Sequence, residues 1–430
     1  MRAMKDSGIA WIGEIPEEWN LRKIKYIFRI SSGTTPKSDN LEYWDGDIPW
    51  VTPADYKTEN EYIYHGRKFL SKAGLEAANL QLLPVNSIVL SKRAPIGAVA
   101  ITAAELTINQ GCIAGIPIDD CSVRYYYFIL SICTEQLNLL GSGTTFKELS
   151  AQDFGNFIVP TPDVAVQERI ADYLDRKCGQ IDAIIARQQE VIEKLKAYKL
   201  SVITEAVTKG LNPHAPMKDS GVEWIGEIPE QWTKVRLKNI CQFINGDRSS
   251  NYPSPNEYVD EGIPFLGADS LYGRYVDIIQ SKKITKEKYH SMGGAKIQKG
   301  DILYTLRGST IGKNALSTFD EGTVASSLMV IRPTSLLSNF LLYWLNSEEE
   351  FQQRQSYING STAPNLSAEN VGSFIMFLPS KVEQQEIADY LDKKCAEIES
   401  TILKKQMLVE WLGKYKKSLI YEVVTGKKEV

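Results

Sequence analysis

Residues 4–19 read MKDSGIAWIGEIPEEW, and residues 217–232 read MKDSGVEWIGEIPEQW. The two segments are identical at 13 of 16 positions and begin 213 residues apart in a chain of 430 residues. A near-identical segment at about half the chain length indicates an internal repeat, and a repeat constrains the fold more strongly than any local pattern. The sequence therefore predicts one structural unit that occurs twice.

A second duplicated segment lies near the end of each half. Residues 170–178 (IADYLDRKC) match residues 387–395 (IADYLDKKC) at eight of nine positions. The intervening regions, 33–140 and 246–356, share only short fragments. Their short apolar runs, bounded by Gly, Pro and Asn, are typical of strands, and two runs rich in aromatic residues favour short helices. Each half is therefore predicted to hold a divergent insert of mixed α and β structure within a repeated frame.

The segments 164–208 and 381–425 are predicted to be long helices. They contain no proline, and their apolar residues alternate spacings of three and four, which is typical of a coiled-coil seam. The predicted seam consists of Leu174, Ile181, Ile185, Ile192 and Leu195 in the first helix and Leu391, Ile398, Ile402, Val409 and Leu412 in the second. Matched length and pattern favour packing of the helices on each other, although each could instead pack on its own half. Residues 174–202 would span about 43 Å as a helix, somewhat more than one DNA turn of roughly 34–36 Å.

These patterns together predict an α+β fold. A mixed α/β domain followed by a long helix is expected to occur in tandem, and the two long helices are expected to pair as an antiparallel coiled coil with pseudo-two-fold symmetry. The predicted boundaries are 1–163 for the first globular domain, 164–210 for the first helix, 211–216 for a linker, 217–380 for the second globular domain and 381–430 for the second helix.

The composition is that of a soluble globular protein, with 43% hydrophobic and 24% charged residues. No apolar run approaches the roughly 18 residues of a membrane span, and the first residues lack an apolar signal core. Six scattered cysteines indicate reduced thiols, and three histidines without neighbouring ligands argue against a metal site. We therefore expect a cytoplasmic protein with no membrane segment, metal or cofactor. The net charge of −4 counts mildly against a freestanding DNA-binding protein but is compatible with local basic patches.

The order of the duplicated segments resembles a known family. The repeated opening SG(I/V)xWIGEIPExW, the divergent insert and the IADYLDxKC helix are similar to the specificity subunit of type I restriction–modification systems, over essentially the whole chain. The resemblance implies that 1–163 and 217–380 are target recognition domains, each reading one half of a split DNA sequence. It also implies that the coiled coil sets the spacer, that two methyltransferase subunits dock on the conserved regions, and that restriction (helicase–nuclease) subunits join that complex. The subunit itself would be non-catalytic within a site-specific adenine methyltransferase complex.

The motifs of an enzyme are weak in this sequence. No Gly-rich loop is followed by Lys-Ser or Lys-Thr, and residues 212–214 (NPH) differ from the Asn-Pro-Pro-aromatic motif of adenine methyltransferases. Asp163, Asp175 and Lys177 imitate a nuclease spacing, but Ser380 replaces the first aspartate in the second half. Asp175 and Lys177 also point to different sides of a helix. A fused methyltransferase or nuclease fragment is therefore the weaker alternative, as is a coiled-coil scaffold that binds no DNA, because a scaffold leaves the two divergent inserts unexplained.

Polar and basic side chains in the loops of the inserts are the candidate DNA contacts, because base edges are read by hydrogen bonds and phosphates by cations. In the first insert the candidates are Tyr56, Lys57, Lys92, Arg93, Asn109, Gln110, Thr144, Thr145 and Lys147. In the second they are Arg248, Arg274, Arg307, Lys313, Ser361, Thr362 and Asn365. Arg307 lies near the position equivalent to Lys92 and Arg93. Each candidate could also be an ordinary exposed polar residue.

The tryptophan-rich repeated segment has two interpretations. Trp11, Ile15 and Trp19 could close the core of the first half, or the segment could form a docking surface for a methyltransferase subunit. The sequence favours core packing for the tryptophans, and the two roles are compatible because opposite sides of one segment can be used.

Overall fold

The computed structural model of the chain describes residues 2–56, 61–93, 95–142, 147–247, 249, 251–279, 281–358 and 365–430. The chain folds into two compact units: unit 1 consists of Met1–Gln188 and Met407–Val430, and unit 2 of Gln189–Gln406. Each unit therefore contains one globular region together with the beginning of one long helix and the end of the other. The domain boundaries expected from the sequence stay a prediction.

Unit 1 is a mixed α and β structure. Its strands are β1 (Met4–Asp6), β2 (Glu14–Pro16), β3 (Asn20–Lys23), β4 (Phe28–Ser32), β5 (Trp44–Val51), β6 (Tyr62–Ile63), β7 (Lys68–Leu70), β8 (Ile88–Ser91), β9 (Val99–Thr102), β10 (Thr107–Ile108), β11 (Cys112–Pro117) and β12 (Ile158–Thr161). Its helices are α1 (Lys72–Ala77), α2 (Val123–Ile132), α3 (Thr134–Leu140), α4 (Ala151–Asn156) and α5 (Val164–Lys209), of which α5 continues into unit 2.

Unit 2 repeats this arrangement. Its strands are β13 (Met217–Asp219), β14 (Glu227–Pro229), β15 (Thr233–Arg236), β16 (Cys241–Asn245), β17 (Tyr258–Val259), β18 (Ile263–Leu266), β19 (Leu271–Tyr272), β20 (Tyr275–Val276), β21 (Lys282–Ile284), β22 (Ile302–Thr305), β23 (Asn314–Leu316), β24 (Thr323–Val324), β25 (Leu328–Pro333) and β26 (Ile375–Leu378). Its helices are α6 (Lys286–Ser291), α7 (Ser338–Trp344), α8 (Glu348–Tyr357), α9 (Ala368–Gly372) and α10 (Lys381–Val424), of which α10 ends in unit 1.

Both sheets of unit 1 recur in unit 2, where each has one additional edge strand, β19 in the larger sheet and β17 in the smaller. The larger sheet has the order β4-β11-β8-β9-β6 in unit 1 and β16-β25-β22-β23-β20-β19 in unit 2. A smaller sheet has the order β10-β5-β7 in unit 1 and β17-β21-β18-β24 in unit 2, with one parallel pair in each, β10 with β5 and β18 with β24. In both units an antiparallel pair, β12 with β3 or β26 with β15, links the repeated opening to the strand before the long helix. The divergent inserts therefore share a common set of paired strands although their sequences differ.

The two long helices pair in an antiparallel sense, as predicted. In unit 1 the Lys416 Nζ lies 2.6 Å from an Asp182 carboxylate oxygen, and in unit 2 Lys199 forms an ion pair with Glu399. Asp182 and Glu399 occupy equivalent positions in the repeat, as do Lys199 and Lys416. The two ion pairs therefore join the same two repeat positions, once in each unit. In each pair a residue early in one helix faces a residue late in the other. Lys199 follows Leu195 by four residues, and Lys416 follows Leu412 by four, so both lysines continue the seam of the coiled coil.

The predicted seam residues lie on the enclosed side of the helices. Those that are buried are Leu174, Ile181, Ile192, Leu391, Ile398 and Leu412. Those that are half-buried are Ile185, Leu195, Ile402 and Val409.

The repeated opening contributes to the core of each unit. Ile15 and Trp19 are buried in unit 1, and Trp232 is buried in the same way in unit 2. Trp11 is half-buried and stacks on Phe157, with ring centroids 5.5 Å apart. Its counterpart in unit 2, Trp224, is 57% exposed. Identical letters in the repeat therefore do not guarantee identical packing.

Candidate nucleic-acid interface

Three loops of unit 1 meet at the end of strand β8. The backbone N–H of Lys92 donates to the Gly111 carbonyl at 2.8 Å, and the Lys92 carbonyl accepts from the Leu149 N–H at 2.9 Å. Segments 92–93, 109–111 and 147–149 are thus joined by backbone hydrogen bonds. This edge carries five of the predicted DNA contacts, namely Lys92, Arg93, Asn109, Gln110 and Lys147.

The cations of this edge surround one carboxylate. The Lys92 Nζ lies 2.8 Å from one Glu148 carboxylate oxygen, and the Arg93 Nε lies 2.9 Å from the other. The hydrogen bond from the Lys92 ammonium, followed by that from Arg93, keeps the pKa of the Glu148 carboxyl below its usual range. Lys147, the residue before Glu148, is exposed. The edge is therefore positively charged around a single ionised acid.

The amides of the second loop have different surroundings. Asn109 is half-buried, and its Oδ1 accepts from the Gly111 N–H at 2.9 Å, so this side chain shapes its own loop. Gln110 is exposed and hydrogen-bonds the Thr35 hydroxyl. At Gly33 a Cβ would lie 2.1 Å from the Asn109 carbonyl, so only glycine permits the close approach of β4 to this loop.

Tyr56 is directed into the protein. Its ring packs against the core cluster that includes Val51 and Cys112. Burial raises the pKa of the Tyr56 hydroxyl well above its ordinary value, with the neighbouring Cys112 thiol as a further cause. A hydroxyl enclosed in this way is not presented to a DNA groove, and the structure favours a core role for Tyr56.

Unit 2 forms the same edge at the end of strand β22. The backbone N–H of Leu306 donates to the Ser327 carbonyl at 2.8 Å, and the Leu306 carbonyl accepts from the Leu366 N–H at 3.0 Å. Leu306 therefore corresponds to Lys92. Arg307 forms a β-bridge with Asn365, as Arg93 does with Glu148. The structure makes Arg307 the counterpart of Arg93, which sharpens the equivalence expected from the sequence.

The side chains on this second edge are less constrained. Arg307 and Asn365 are both exposed. Within the described ranges, the Arg307 guanidinium takes part in no ion pair. The acidic partner of the first edge is absent here because an amide stands in the place of Glu148.

The structure places two other candidates away from this edge. Arg274, in the turn between β19 and β20, forms an ion pair with Asp392 of helix α10 and lies 4.9 Å over the ring of Tyr343. The Lys313 Nζ donates to the Ala268 carbonyl at 3.2 Å and lies 4.8 Å over the ring of Tyr272. Both cations are used within unit 2, so we do not retain them as base-reading residues.

The remaining candidates cannot be placed in the same way. Lys57, Thr144, Thr145, Arg248, Ser361 and Thr362 lie outside the described residues.

The aspartate that imitated a nuclease motif has a structural partner. The Arg124 Nη1, at the start of α2, lies 2.6 Å from the Asp175 carboxylate. The Arg124 Nη2 lies 2.8 Å from both Glu168 and Asp172. The carboxylate of Asp175 therefore holds helix α2 against helix α5. Across the part of the chain that the structure describes, no group of three or more His, Cys, Asp or Glu side chains is placed to hold a metal ion.

Sequence reasoning missed Arg124 and Glu148. Arg124 bonds residues 44 to 51 positions away, so no local pattern could have shown it. Glu148 could have been found, because the repeat aligns residues 143–151 with 360–368 and so pairs Glu148 with the named Asn365.

A family comparison agrees with the repeated architecture. The model of the family described as the type I restriction modification DNA specificity domain matches residues 16–194 and, a second time, residues 229–406. The chain belongs to this family. The family is the DNA-recognition component of type I restriction–modification systems. The two matched ranges in this chain fall one in each half of the repeat.

Relatives of similar length are specificity subunits. The chain is 27% identical over 437 residues to the MjaIX specificity subunit of Methanocaldococcus jannaschii, covering 97% of this chain and 95% of that one. It is 24% identical over 398 residues to the EcoBI specificity subunit of Escherichia coli, covering 90% of this chain and 81% of the relative.

Solved structures share the fold. A chain from a study of complex assembly and conformational transition of the type I R-M system matches with a TM-score of 0.76 at 15% identity, over 96% of this chain and 99% of that chain. The HsdS subunit of Thermoanaerobacter tengcongensis matches with a TM-score of 0.52 at 16% identity, over 96% and 98% of the two chains. Among the described helices, none has both the length and the apolar character needed to span a membrane.

Proposed function

We propose that this chain is the DNA-specificity subunit of a type I restriction–modification complex and that each recognition domain, 1–163 or 217–380, reads one half of a split target. The observation that carries the proposal is the repeated loop edge. Strands β8 and β22 end in the same backbone hydrogen bonds, yet they present Lys92, Arg93 and Glu148 in one unit and Arg307 and Asn365 in the other. One scaffold with two sets of polar side chains suits the recognition of two different half-sequences.

The polar residues of the two edges suit different contacts with DNA. Arginine can bond the O6 and N7 acceptors of guanine in a bidentate manner, and lysine neutralises phosphates. We assign the first half-site to Lys92, Arg93, Asn109, Gln110 and Lys147, and the second to Arg307 and Asn365. Thr144, Thr145, Ser361 and Thr362 remain candidates because their sequence positions adjoin these loops, and Lys57 and Arg248 remain candidates as basic residues of the inserts.

The paired helices supply the spacer in this proposal, and the chain performs no chemistry itself. Helices α5 and α10 have 46 and 44 residues, long enough to carry a recognition domain at either end. Two methyltransferase subunits would dock on the repeated frame, and restriction subunits would join through them, in the cytoplasm where the DNA is. A scaffold without DNA would not need two polar edges on matching backbones.

Exchange of one insert tests the assignment of half-sites. We expect that replacing residues 33–140 with the insert of a related specificity subunit changes one half of the methylated motif and leaves the other half unchanged. The measurement is a genome-wide map of methylated sites in cells that express the complete complex. A motif that changes in both halves, or in neither, would contradict the proposal.

A paired deletion tests the spacer. Removing residues 186–192 and 406–412 takes one heptad from each helix and keeps the Asp182–Lys416 and Lys199–Glu399 pairs in register. The helices lose about 10 Å, which corresponds to about three base pairs. We expect a shorter unread spacer between unchanged half-sites. An unchanged spacer in the methylation map would rule out the coiled coil as the ruler.

A further inference from the structure

One position of the loop edge carries a different hydrogen-bonding group in each unit. Glu148 and Asn365 occupy this position, each in a β-bridge with the arginine that follows the central strand. The next residue along the chain, Leu149 or Leu366, is buried, and its N–H is bound to the end of that strand. The backbone that carries Glu148 or Asn365 is thus fixed by a core anchor. A side chain on such an anchored backbone is preorganised for specific contacts.

The backbone on the other side of Glu148 is also held. Its N–H donates to the Ser142 carbonyl at 2.9 Å, and its carbonyl accepts from the Ser142 N–H at 3.1 Å. The serine two residues after each position begins the next helix, Ser150 at α4 and Ser367 at α9, and each accepts a capping bond at 3.0 Å. In both units this position therefore has the same β-bridge, the same anchored leucine and the same capping serine.

The surroundings of Glu148 allow a carboxylate to face DNA. An isolated acid would be repelled by phosphates, but Lys92 and Arg93 bond this one at 2.8 and 2.9 Å. The side chain of Lys92 is 15% exposed, whereas that of Glu148 is 37% exposed, so the lysine supports the acid from the protein side. An ionised carboxylate has about four acceptor sites, so two cations leave capacity for a donor from a base.

We propose that Glu148 and Asn365 are equivalent base-reading positions, with Glu148 accepting a hydrogen bond from the N4 amino group of cytosine in the first half-site and Asn365 bonding adenine in the second. The proposal rests on the proposed function. A carboxylate can only accept, which matches the cytosine donor in the major groove, and an amide matches the donor–acceptor pair of adenine. In each half-site, the base preferred at one position is then determined by the side chain at this shared position.

Isosteric substitutions test this directly. Glu148→Gln should change the preferred base at one position of the first half-site from cytosine to adenine, because the amide now both donates and accepts. Asn365→Asp should change adenine to cytosine at the equivalent position of the second half-site. We expect discrimination at that base pair to change by between about 5- and 150-fold. The untouched half-site of each variant is the internal reference.

The measurement uses the complete methyltransferase complex with a set of duplexes that differ at single positions, together with the methylation map in cells. Lys147→Ala is the matched control, because an exposed lysine on the same loop should act on phosphate. We expect it to weaken binding to all duplexes equally and to reduce the salt dependence of binding. Thermal unfolding of each variant shows whether the fold is kept.

The outcomes separate the inference from the function on which it rests. If Glu148→Gln and Asn365→Asp leave the base preference unchanged, or weaken binding equally on every duplex, the two side chains are not base readers and the inference is wrong. Glu148→Asn provides a second variant if Glu148→Gln fails to fold. If exchange of residues 33–140 leaves the whole motif unchanged, the proposed function fails regardless of Glu148.

Discussion

The two units attach their divergent inserts to the same point of the long helices, but with arginines from different parts of the chain. Asp175 and Asp392 occupy equivalent positions in the repeat. In unit 1 the arginine is Arg124, in the first turn of α2, and in unit 2 it is Arg274, in the turn between β19 and β20. The anchoring carboxylate thus belongs to the repeated frame, whereas the cation comes from the insert. An insert can therefore diverge and still be fixed to the helix.

The two attachments differ in charge balance. Arg124 bonds three carboxylates, whereas Arg274 forms an ion pair with one and lies beside the Tyr343 hydroxyl. Glu61 adds a fourth acid in unit 1, and burial, followed by the charge of Asp175, raises its pKa to about 7. Unit 1 therefore depends more on its arginine than unit 2 does.

The largest effect is expected where the two units are most alike. Trp19 and Trp232 are buried in the cores of their units. Replacing either with alanine should lower the free energy of unfolding by about 3–5 kcal/mol, because a large ring leaves a cavity. Hydrogen exchange should show lost protection mainly in the unit that carries the substitution, and equal loss in both units would contradict this.

Phenylalanine at the same positions provides the control. The Trp232 Nε1 donates to the Glu383 carboxylate at 3.0 Å, whereas within the described residues the buried Trp19 Nε1 has no acceptor. Trp232→Phe should therefore cost about 1 kcal/mol more than Trp19→Phe.

The arginine attachments should give the next largest effect. Arg124→Ala leaves three neighbouring carboxylates without their cation and should destabilise unit 1 by about 2 kcal/mol, less than a fully buried pair because these groups are partly exposed. Arg274→Ala leaves one carboxylate and should cost about 1 kcal/mol. Denaturant unfolding with unit-specific probes measures the difference.

Neutralising the acids should rescue the first variant. Adding Glu168→Gln and Asp172→Asn to Arg124→Ala should recover part of the lost stability, because the mutual repulsion is removed. Equal losses for Arg124→Ala and Arg274→Ala, with no rescue, would show that charge balance does not distinguish the attachments.

The repeated elements could be predicted from the sequence, but the arginine attachments of the inserts to the long helices could not. The periodic segments 164–208 and 381–425 match the two long helices to within one residue at each end, because a heptad pattern is a local signal, whereas the wider boundary of 381–430 extends six residues beyond the end of α10. The equivalence of Arg307 with the first-unit cations also follows from aligned loops. The attachment roles of Arg124 and Arg274 could not be predicted, since their partners lie 44 to 118 residues away in the chain, and the sequence predicts a DNA contact for Arg274 instead.

Even identical letters can acquire different surroundings. Trp11 stacks on Phe157, but the counterpart of Phe157, Phe374, contacts Tyr357 of helix α8 instead. Tyr357 immediately follows the second divergent region, 246–356. The repeated segment alone therefore could not predict that Trp224 is exposed while Trp11 is half-buried. Tyr56 was misleading for a similar reason, because its neighbour Cys112 is distant in sequence.

A smaller, pH-dependent effect is expected from half-buried Glu61 and buried Glu349. The pKa of Glu61 is raised to about 7, and burial, followed by Glu348, raises the pKa of Glu349 in unit 2 to about 7 as well. Because the folded pKa is higher than the ordinary value, the stabilisation by protonation is complete below pH 4.5 and is lost as the pH rises through 7. Each acid should lower the free energy of unfolding by about 1 kcal/mol between pH 5 and 8, a value that allows for partial exposure. Glu61→Gln and Glu349→Gln should each abolish that pH-dependent decrease.

The arginine variants distinguish these two acids. Arg124 lowers the pKa of Glu61, so Arg124→Ala should shift the titration of Glu61 upward, whereas Arg274→Ala should leave that of Glu349 unchanged. Carboxyl NMR titration reports both values. A shift in the pKa of Glu349 in Arg274→Ala would contradict this difference, because it would mean that Glu349 also responds to the arginine attachment of its unit.

The smallest effect is expected at the interhelical ion pairs, where the comparison predicts equality. Asp182→Asn and Glu399→Gln each remove the partner of a half-buried seam lysine, Lys416 or Lys199, and should each cost about 0.2–1 kcal/mol. Both losses should disappear in 1 M salt, where the screening length falls to about 3 Å. Glu193→Gln, which breaks an exposed pair on one helix, should have no measurable effect and serves as the control. Unequal losses in the free energy of unfolding would show that the interhelical ion pair, although repeated in sequence, does not stabilise the two units equally.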